Sequence, residues 1–432
     1  MNEINEICVI GAGISGLVMC KYLKDNHLDF ICYEAGSSIG GLWNHESDAN
    51  YGSIYQSLHL NSSKNTTQFK DFPMPDDYPH YPGHWQFLQY IKAYASKFEL
   101  NNKIQLNSKV TSVEKISQEQ YKLTINYDEI KYFKRVIIAN GHHWLPNIPY
   151  IHNIDNFSGL KLHSKEYKNA AIFQDKKVLV VGIGNSGVEI ACDAARALAK
   201  QVYISCRTGA HVYPHYIFGI PIGDLGTKPT LFMPLAIKRI ITQGLLFLAR
   251  GRLSDYGIPK PSLKLLTQHP TISSELFSIV GKGMIKFKPD IASFEGKKVI
   301  FNDKTRLEFD IIVLATGYKI AFPFLNDSLV NHSTIEKTKS IDLYRRIVSV
   351  ENEGLIFIGL AQPNTSIIKF VEIQAEWIVN LIKGNIKLPT QNKMLEEIAK
   401  YKKTLINYSK SDRHQLQIDF HKYKNELNND YN

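Results

Sequence analysis

Short, uninterrupted apolar runs recur along the chain: ICVI at residues 7–10, FICY at 30–33 and VLVV at 178–181. Runs of this length, bounded by glycine or polar residues, suit strands buried on both faces of a parallel sheet. After the first run, Leu17, Tyr22 and Leu23 recur at helical spacing, so residues 6–36 read as strand, glycine turn, helix and strand. The same order returns over residues 176–207. The two βαβ units share a design with little identity, which predicts two domains and not a solenoid repeat.

Between the units, DFPMPDDYPHYPGHW at 71–85 is too rich in proline for a helix or a central strand and predicts a structured loop. Residues 108–127 alternate in short β-like runs. KRVIIANG and EFDIIVLATG are apolar strands that each end in a glycine turn, and LIFIGLAQP supplies one more buried strand. FVEIQAEWIVNLIKG at 370–384 reads as an amphipathic helix stopped by Gly384, and the polar tail NELNNDYN as a frayed end. The most apolar later stretch, TLFMPLAIKRIITQGLLFLARG at 230–251, carries Lys238 and Arg239 at its middle. Those charges argue against a membrane span. Core or interface packing is the expectation for it, with contact at a membrane surface as the alternative.

Composition adds limits. The 432 residues are 44% hydrophobic, enough for more than one core. The net charge of +10 is spread along the chain, and no dense Arg/Lys block interleaved with aromatics points to a nucleic-acid groove. Five cysteines without paired spacing suit a reducing compartment, and no secretory leader is read at the start, so the expected location is cytoplasmic. No metal site is assigned.

The chemistry sits at the two glycine turns. Gly11, Gly13 and Gly16 follow a strand at GxGxxG spacing: the first permits the tight turn, the second close approach of a pyrophosphate, the third close packing of helix on sheet. The helix N-terminal amides then meet the phosphates. Glu34, at the end of the next strand, is placed to accept hydrogen bonds from both ribose hydroxyls. Gly182, Gly184 and Gly187 repeat the cradle, but there the following strand ends in Ser-Cys-Arg. Arg207 suits a 2′-phosphate, the mark of NADP over NAD; the alternative is a surface ion pair. Two dinucleotides, one held and one exchanged, point to FAD with NADPH.

At this point the chain resembles the flavin-containing monooxygenases. The likeness runs from the first glycine turn to about Pro389. FSGLKLHSKEY matches the FxGxxxHxxxY signature through Phe157, Gly159, His163 and Tyr167, and GGLW, LNSSKNTTQFKDFPMP, ATGY and IGLAQP are further landmarks. The resemblance implies an α/β fold of two Rossmann-like dinucleotide-binding domains, with the NADP domain inserted in the FAD domain. It divides the chain into a first FAD-binding part (1–168), an NADPH-binding domain (169–310) with an inserted segment at about 209–289, and a second FAD-binding part (311–432). It also implies an order of events in which NADPH reduces FAD, oxygen adds to the reduced flavin, and the hydroperoxide is attacked by a soft nucleophile, an amine or sulfide. NADP⁺ stays bound meanwhile.

By the same resemblance Gly11, Gly13, Ser15, Gly16, Glu34, Gly41, Leu42, Trp43 and Val110 are assigned to FAD, and Gly184, Asn185, Ser186, Gly187 and Arg207 to NADPH. Thr316 and Gly317 are placed where the chain passes between the domains, and Gln374 toward the flavin or, equally, on a polar surface. Asn61 is the catalytic candidate, a neutral donor to the peroxide; its alternative is an Asx turn. His163 is expected to couple the domains and not to act as a base. The substrates implied are O2 and a small amine or sulfide. Ketone oxygenation of the Baeyer-Villiger type is the alternative, less favoured because Tyr167-Lys168 replaces the Trp with Pro or Asp of those relatives. An NADPH oxidase or a flavin redox sensor is another alternative. A disulfide reductase is excluded by the lack of a CxxC or CxxxxC pair. The inserted segment is expected to cover the active-site mouth; its contact with a membrane surface and a homodimer are left open.

Overall fold

The computed structural model describes residues 4–45, 52–225, 233–267, 269–326, 329, 342–408 and 416–431, without the side chains of 405–408. Residues 226–232 and 268 of the expected insertion, which include 230–232 of the apolar run, lie outside the described residues. In the first unit, five strands run parallel in the order Leu355–Phe357, Glu129–Ile138, Ile4–Ile10, Phe30–Tyr33, Ile104–Gln105. Ile4–Ile10 lies at the centre, with Ile10 opposite both Tyr33 and Ile138. Its alternate side chains feed two cores, as a strand buried on both faces requires. Ile7 and Val9 join Leu17, Trp377 and Ile378 beneath the helices Ile14–Asp25 and Ile367–Ile382. Cys8 and Ile10 join Tyr121, Leu123 and Phe357 under an antiparallel meander of Val110–Ser117 and Gln120–Ile125.

The second unit is a five-stranded parallel sheet in the order Ile285–Lys288, Gln201–Ser205, Lys177–Val181, Ile311–Leu314, Leu160–His163. Its strands cross the division expected from sequence. Leu160–His163 precedes residue 169 and Ile311–Leu314 follows 310, yet Ile311 pairs with both Leu160 and Val178. Ile311–Leu314 is buried throughout, and its backbone groups need partners on both edges. The segment 209–289 is likewise not all insertion. Ile285–Lys288 is an edge strand of this sheet, and the helix Glu275–Gly281 packs its Leu276 and Ile279 into the same core as Val188 and Cys192.

Two further expectations are corrected. The apolar run is a helix, Leu235–Arg250, but Leu246 is its one fully buried residue, while Ile240 is 71% and Leu248 70% exposed. It is not packed as core. The polar tail is not frayed: the helix Phe420–Asn428 buries Tyr423 and Leu427, and Arg345 holds the Asp430 carboxylate through Nε and Nη2 at 2.8 and 2.7 Å. Trp377 Nε1 donates to the same carboxylate. A polar terminus is thus anchored by one bidentate ion pair that its composition does not reveal.

Candidate functional site: two glycine cradles and the loop before them

The cradles are built alike. In the first, Gly11 has φ +102°, its N–H donates to Tyr33 O at 2.8 Å, and a Cβ there would lie 2.8 Å from Ala139 O. A Cβ on Gly16 would lie 1.8 Å from Gly11 O, so neither position admits a side chain. In the second, Gly182 has φ +117°, donates to Ser205 O at 2.8 Å, and would meet Ala315 O at 2.4 Å; Gly187 would meet Gly182 O at 2.3 Å. Both turns open onto helices whose N-caps are glycines, Gly13 for Ile14–Asp25 and Gly184 for Asn185–Arg196, and neither has a side-chain cap. The first-turn amides therefore lack a side-chain acceptor, as an anion site requires. Nothing lies within 4 Å of where a Gly184 Cβ would be, and at Gly13 the nearest atom is Gly41 Cα, 3.6 Å away.

Glu34 stands half-buried at the mouth of the first cradle. Its Oε2 accepts from Ala12 N–H at 2.7 Å and its Oε1 from Gly36 N–H at 2.8 Å. These bonds orient the carboxylate and leave each oxygen a lone pair for a ribose hydroxyl. The 3-10 turn Gly41–Trp43, which includes Leu42, closes over Gly13, and Trp43 packs edge-on against Phe87 with centroids 4.7 Å apart. Ser15 lies against Gly359, whose Cβ would fall 2.1 Å from Ser15 Oγ. Val110 is buried in the core with Tyr33, just beyond Ser108, whose N–H donates to Glu34 O.

In the second cradle Ser186 is half-buried. Asn185 Oδ1 accepts from Ile272 N–H at 2.8 Å, and Thr271 Oγ1 donates to Ile183 O at 2.8 Å. The inserted segment thus straps this cradle, and the Asn185 carbonyl expected near phosphates is already engaged, which leaves its NH2 as the group to donate. Arg207 is exposed and makes no ion pair among the described residues, so the alternative reading of it is not what the structure holds.

His163 is buried and fully used. Its Nδ1 accepts from Lys165 N–H at 3.1 Å, and its Nε2 donates to Gly317 O at 3.0 Å. Burial pushes its pKa down. A neutral imidazole with both nitrogens occupied is no general base. It ties Leu160–His163 to the turn after Ile311–Leu314, where Thr316 Oγ1 also donates to Asn147 O at 2.5 Å and Asn147 N–H donates to Gly317 O at 2.9 Å. Gln374 takes neither expected position. It is wholly buried, its Oε1 accepting from Gly359 N–H at 2.9 Å and its Nε2 donating to Tyr423 OH at 2.9 Å. It acts on the first cradle only through the Gly359 turn that rests on Ser15.

Asn61 is half-buried and its amide makes no hydrogen bond among the described residues, so no Asx turn forms there. Ser63 instead caps the helix Lys64–Thr67. Three features escaped sequence reasoning. Asp224 of the inserted segment reaches the turn after Asn61 and accepts from Ser63 Oγ, Thr66 Oγ1 and Asn65 Nδ2. Tyr55 OH donates to Glu189, and Ser57 Oγ and Tyr167 OH donate to Asp193, which fastens the chain ahead of Asn61 to the helix of the second cradle. No local spacing signals contacts between residues so far apart. The five cysteines are buried and none forms a disulfide.

Two side-chain-free cradles, with a carboxylate at one strand end and a guanidinium at the other, have the form of two adenine-dinucleotide sites, and the residues present fit FAD and NADP. A family profile described as FMO-like, flavin-binding monooxygenase-like, matches residues 4–432. Dimethylaniline monooxygenase [N-oxide-forming] 2 of Oryctolagus cuniculus is 35% identical over 98% of this chain and 82% of its own length. Flavin-containing monooxygenase 5 of Mus musculus is 34% identical over 96% and 80%. Among solved structures, OTEMO in complex with FAD and NADP superposes with a TM-score of 0.76 at 17% identity, covering 100% of this chain and 99% of that one. The chain belongs to the flavin-binding monooxygenase-like family. It is a flavin-dependent monooxygenase.

Proposed function

We propose that the first cradle holds FAD, the second holds NADPH, and the enzyme oxygenates the nitrogen or sulfur of a small amine or sulfide. Bound FAD supplies hydride uptake from NADPH and the activation of O2. The chain's own residues do the rest. The amides of the two helix N-termini receive the pyrophosphates, Glu34 receives a ribose, and Arg207 meets the 2′-phosphate. Asn61 Nδ2 supplies a hydrogen bond without a titratable proton, so it can steady bound oxygen without promoting its loss as hydrogen peroxide. The observation that carries this reading is the half-buried Asn61 amide, with no hydrogen bond among the described residues, on a turn that Asp224 of the inserted segment contacts.

The heteroatom preference is supported by the likeness to the N-oxide-forming dimethylaniline monooxygenase and by the Tyr167-Lys168 pair. Contact with a membrane surface is supported by the exposed face of Leu235–Arg250, flanked by Phe218, 71% exposed, on the hairpin Tyr216–Ile217 and Ile220–Pro221. The test is turnover of the purified holoenzyme with NADPH, O2 and, in turn, a tertiary amine, a thioether and a cyclic ketone. N-oxide or sulfoxide formed in step with NADPH consumption is expected. Ester formation from the ketone, with the amine and thioether untouched, would overturn the reading.

A further inference from the structure

We infer that Asp224, on the inserted segment, is a positioning residue for the Asn61 turn, so that the segment covering the site also sets how completely NADPH consumption is coupled to oxygen transfer. The inference rests on the proposed role of Asn61. Its basis is a convergence of donors. Asp224 Oδ1 accepts from Ser63 Oγ and from Thr66 Oγ1, the latter at 3.0 Å, while Oδ2 accepts from Asn65 Nδ2 at 3.1 Å. Three donors from four consecutive residues meet one side chain, and an ionised carboxylate accepts them all without offering a competing donor. The preceding residue reinforces the contact: a Cβ on Gly223 would sit 3.0 Å from Thr66 Oγ1, so the Thr66 side chain packs close against the Gly223 backbone.

The turn's other contacts run to the core and to the preceding loop: Leu60 is buried in the first core, and Lys64 Nζ donates to Pro75 O, Asp76 O and Tyr78 O at 3.2, 2.8 and 2.8 Å. Upstream of Asn61, Leu60 N–H donates to Pro82 O at 2.9 Å; downstream, Lys64 N–H donates to His80 O at 2.8 Å. Both acceptors lie on the loop before His84–Lys97, and that loop is itself held by the insertion, since Tyr81 OH donates to His215 O at 2.5 Å and His80 meets Tyr216 OH at 3.3 Å. The helix Lys64–Thr67 is a single turn, too short to be stable alone. The insertion therefore bears on Asn61 by two routes, one through the loop, which ends at Leu60, and one directly through Asp224, which ends at Ser63.

The test compares Asp224→Ala and Asp224→Asn holoenzymes with Asn61→Ala and the parent, reading hydrogen peroxide released per NADPH and amide hydrogen exchange across residues 61–68. Loss of the carboxylate should raise released peroxide about threefold or more and speed exchange at Thr66 and Thr67 about tenfold, the size of one or two hydrogen bonds. Asp224→Asn should restore both, because its remaining oxygen keeps Ser63 and Thr66 and a turned Asn65 amide meets its NH2. A role confined to folding would alter exchange throughout the molecule and leave the coupling ratio of folded enzyme unchanged. Thr66→Val removes one of these bonds from the other side while leaving the Ser63 cap, and should move both readouts part of the way toward Asp224→Ala. An Asp224→Ala enzyme as tightly coupled as the parent, beside an uncoupled Asn61→Ala, would overturn the inference. A fully coupled Asn61→Ala would overturn the reading of Asn61 instead, and exchange at Thr66 and Thr67 would still decide whether Asp224 holds the turn.

Discussion

Arg207 and Glu34 occupy equivalent strand ends and carry opposite charge, and that single difference separates the two cradles. Glu34 is fixed by the Ala12 and Gly36 amides before any ligand arrives, whereas Arg207 is exposed, with no ion pair among the described residues. A guanidinium held by nothing else is free to close on a phosphate, and its fork is not replaced by a neutral side chain. Arg207→Ala should lower the preference for NADPH over NADH, measured as the ratio of kcat/KM values, by about tenfold to a hundredfold, in line with loss of one or two charge-assisted bonds. Retention of the preference would mean that another residue reads the 2′-phosphate. His163 and Gln374 teach the reverse lesson: His163 stands in the family signature and Gln374 on the helix after IGLAQP, yet their polar atoms are consumed by Gly317, Lys165, Gly359 and Tyr423.

The helix Asn185–Arg196 does more than present amides to a phosphate. Its buried Asp193 accepts from Ser57, Tyr167 and Arg196, and Glu189, facing Tyr55, has its pKa pushed up to about 7, first by burial and further by Asp193. The other charged groups around it are Arg196 and Glu275. The folded protein thus keeps the Glu189 proton to near neutrality, while the unfolded chain releases it near the ordinary value of 4.5. Stability from this group is present below about pH 4.5 and lost as pH rises through about 7. Glu189→Gln, which stays neutral, should therefore unfold at higher denaturant than the parent at pH 8, by up to roughly 3 kcal/mol, and differ little at pH 5. Equal gains at both pH values would show that the carboxyl is not protonated in the fold.

For the molecule as a whole, the inserted segment makes one surface of three parts. It straps the second cradle through Thr271 and Ile272, grips the Asn61 turn through Asp224, and turns outward a helix whose Ile237, Ile240, Phe247 and Leu248 are exposed. No helix among the described residues is long and apolar enough to cross a membrane. This exposed apolar face is the part of the surface that the proposed membrane contact would use. The double variant Ile240→Glu, Leu248→Glu should lose most of the parent's flotation with phosphatidylserine vesicles while keeping NADPH-driven flavin reduction. Undiminished flotation would place the contact elsewhere.

Local pattern sufficed for the two βαβ units, the six cradle glycines, Glu34 and Arg207, because each is dictated within about 30 residues by backbone sterics and by the alternation of strand, turn and helix. Where pattern failed, distance was the reason. The strands Leu160–His163 and Ile311–Leu314 join one sheet from opposite sides of the expected divisions, and nothing local states which buried strand will neighbour which. The anchored tail depends on Arg345 finding Asp430, and the site loop on Asp224 finding Ser63, Asn65 and Thr66. The sequence by itself determined that two dinucleotide cradles exist and which charge guards each. Only the tertiary structure decided what lies over them, since hydrogen bonds between residues far apart in the chain form only after the two cores have packed.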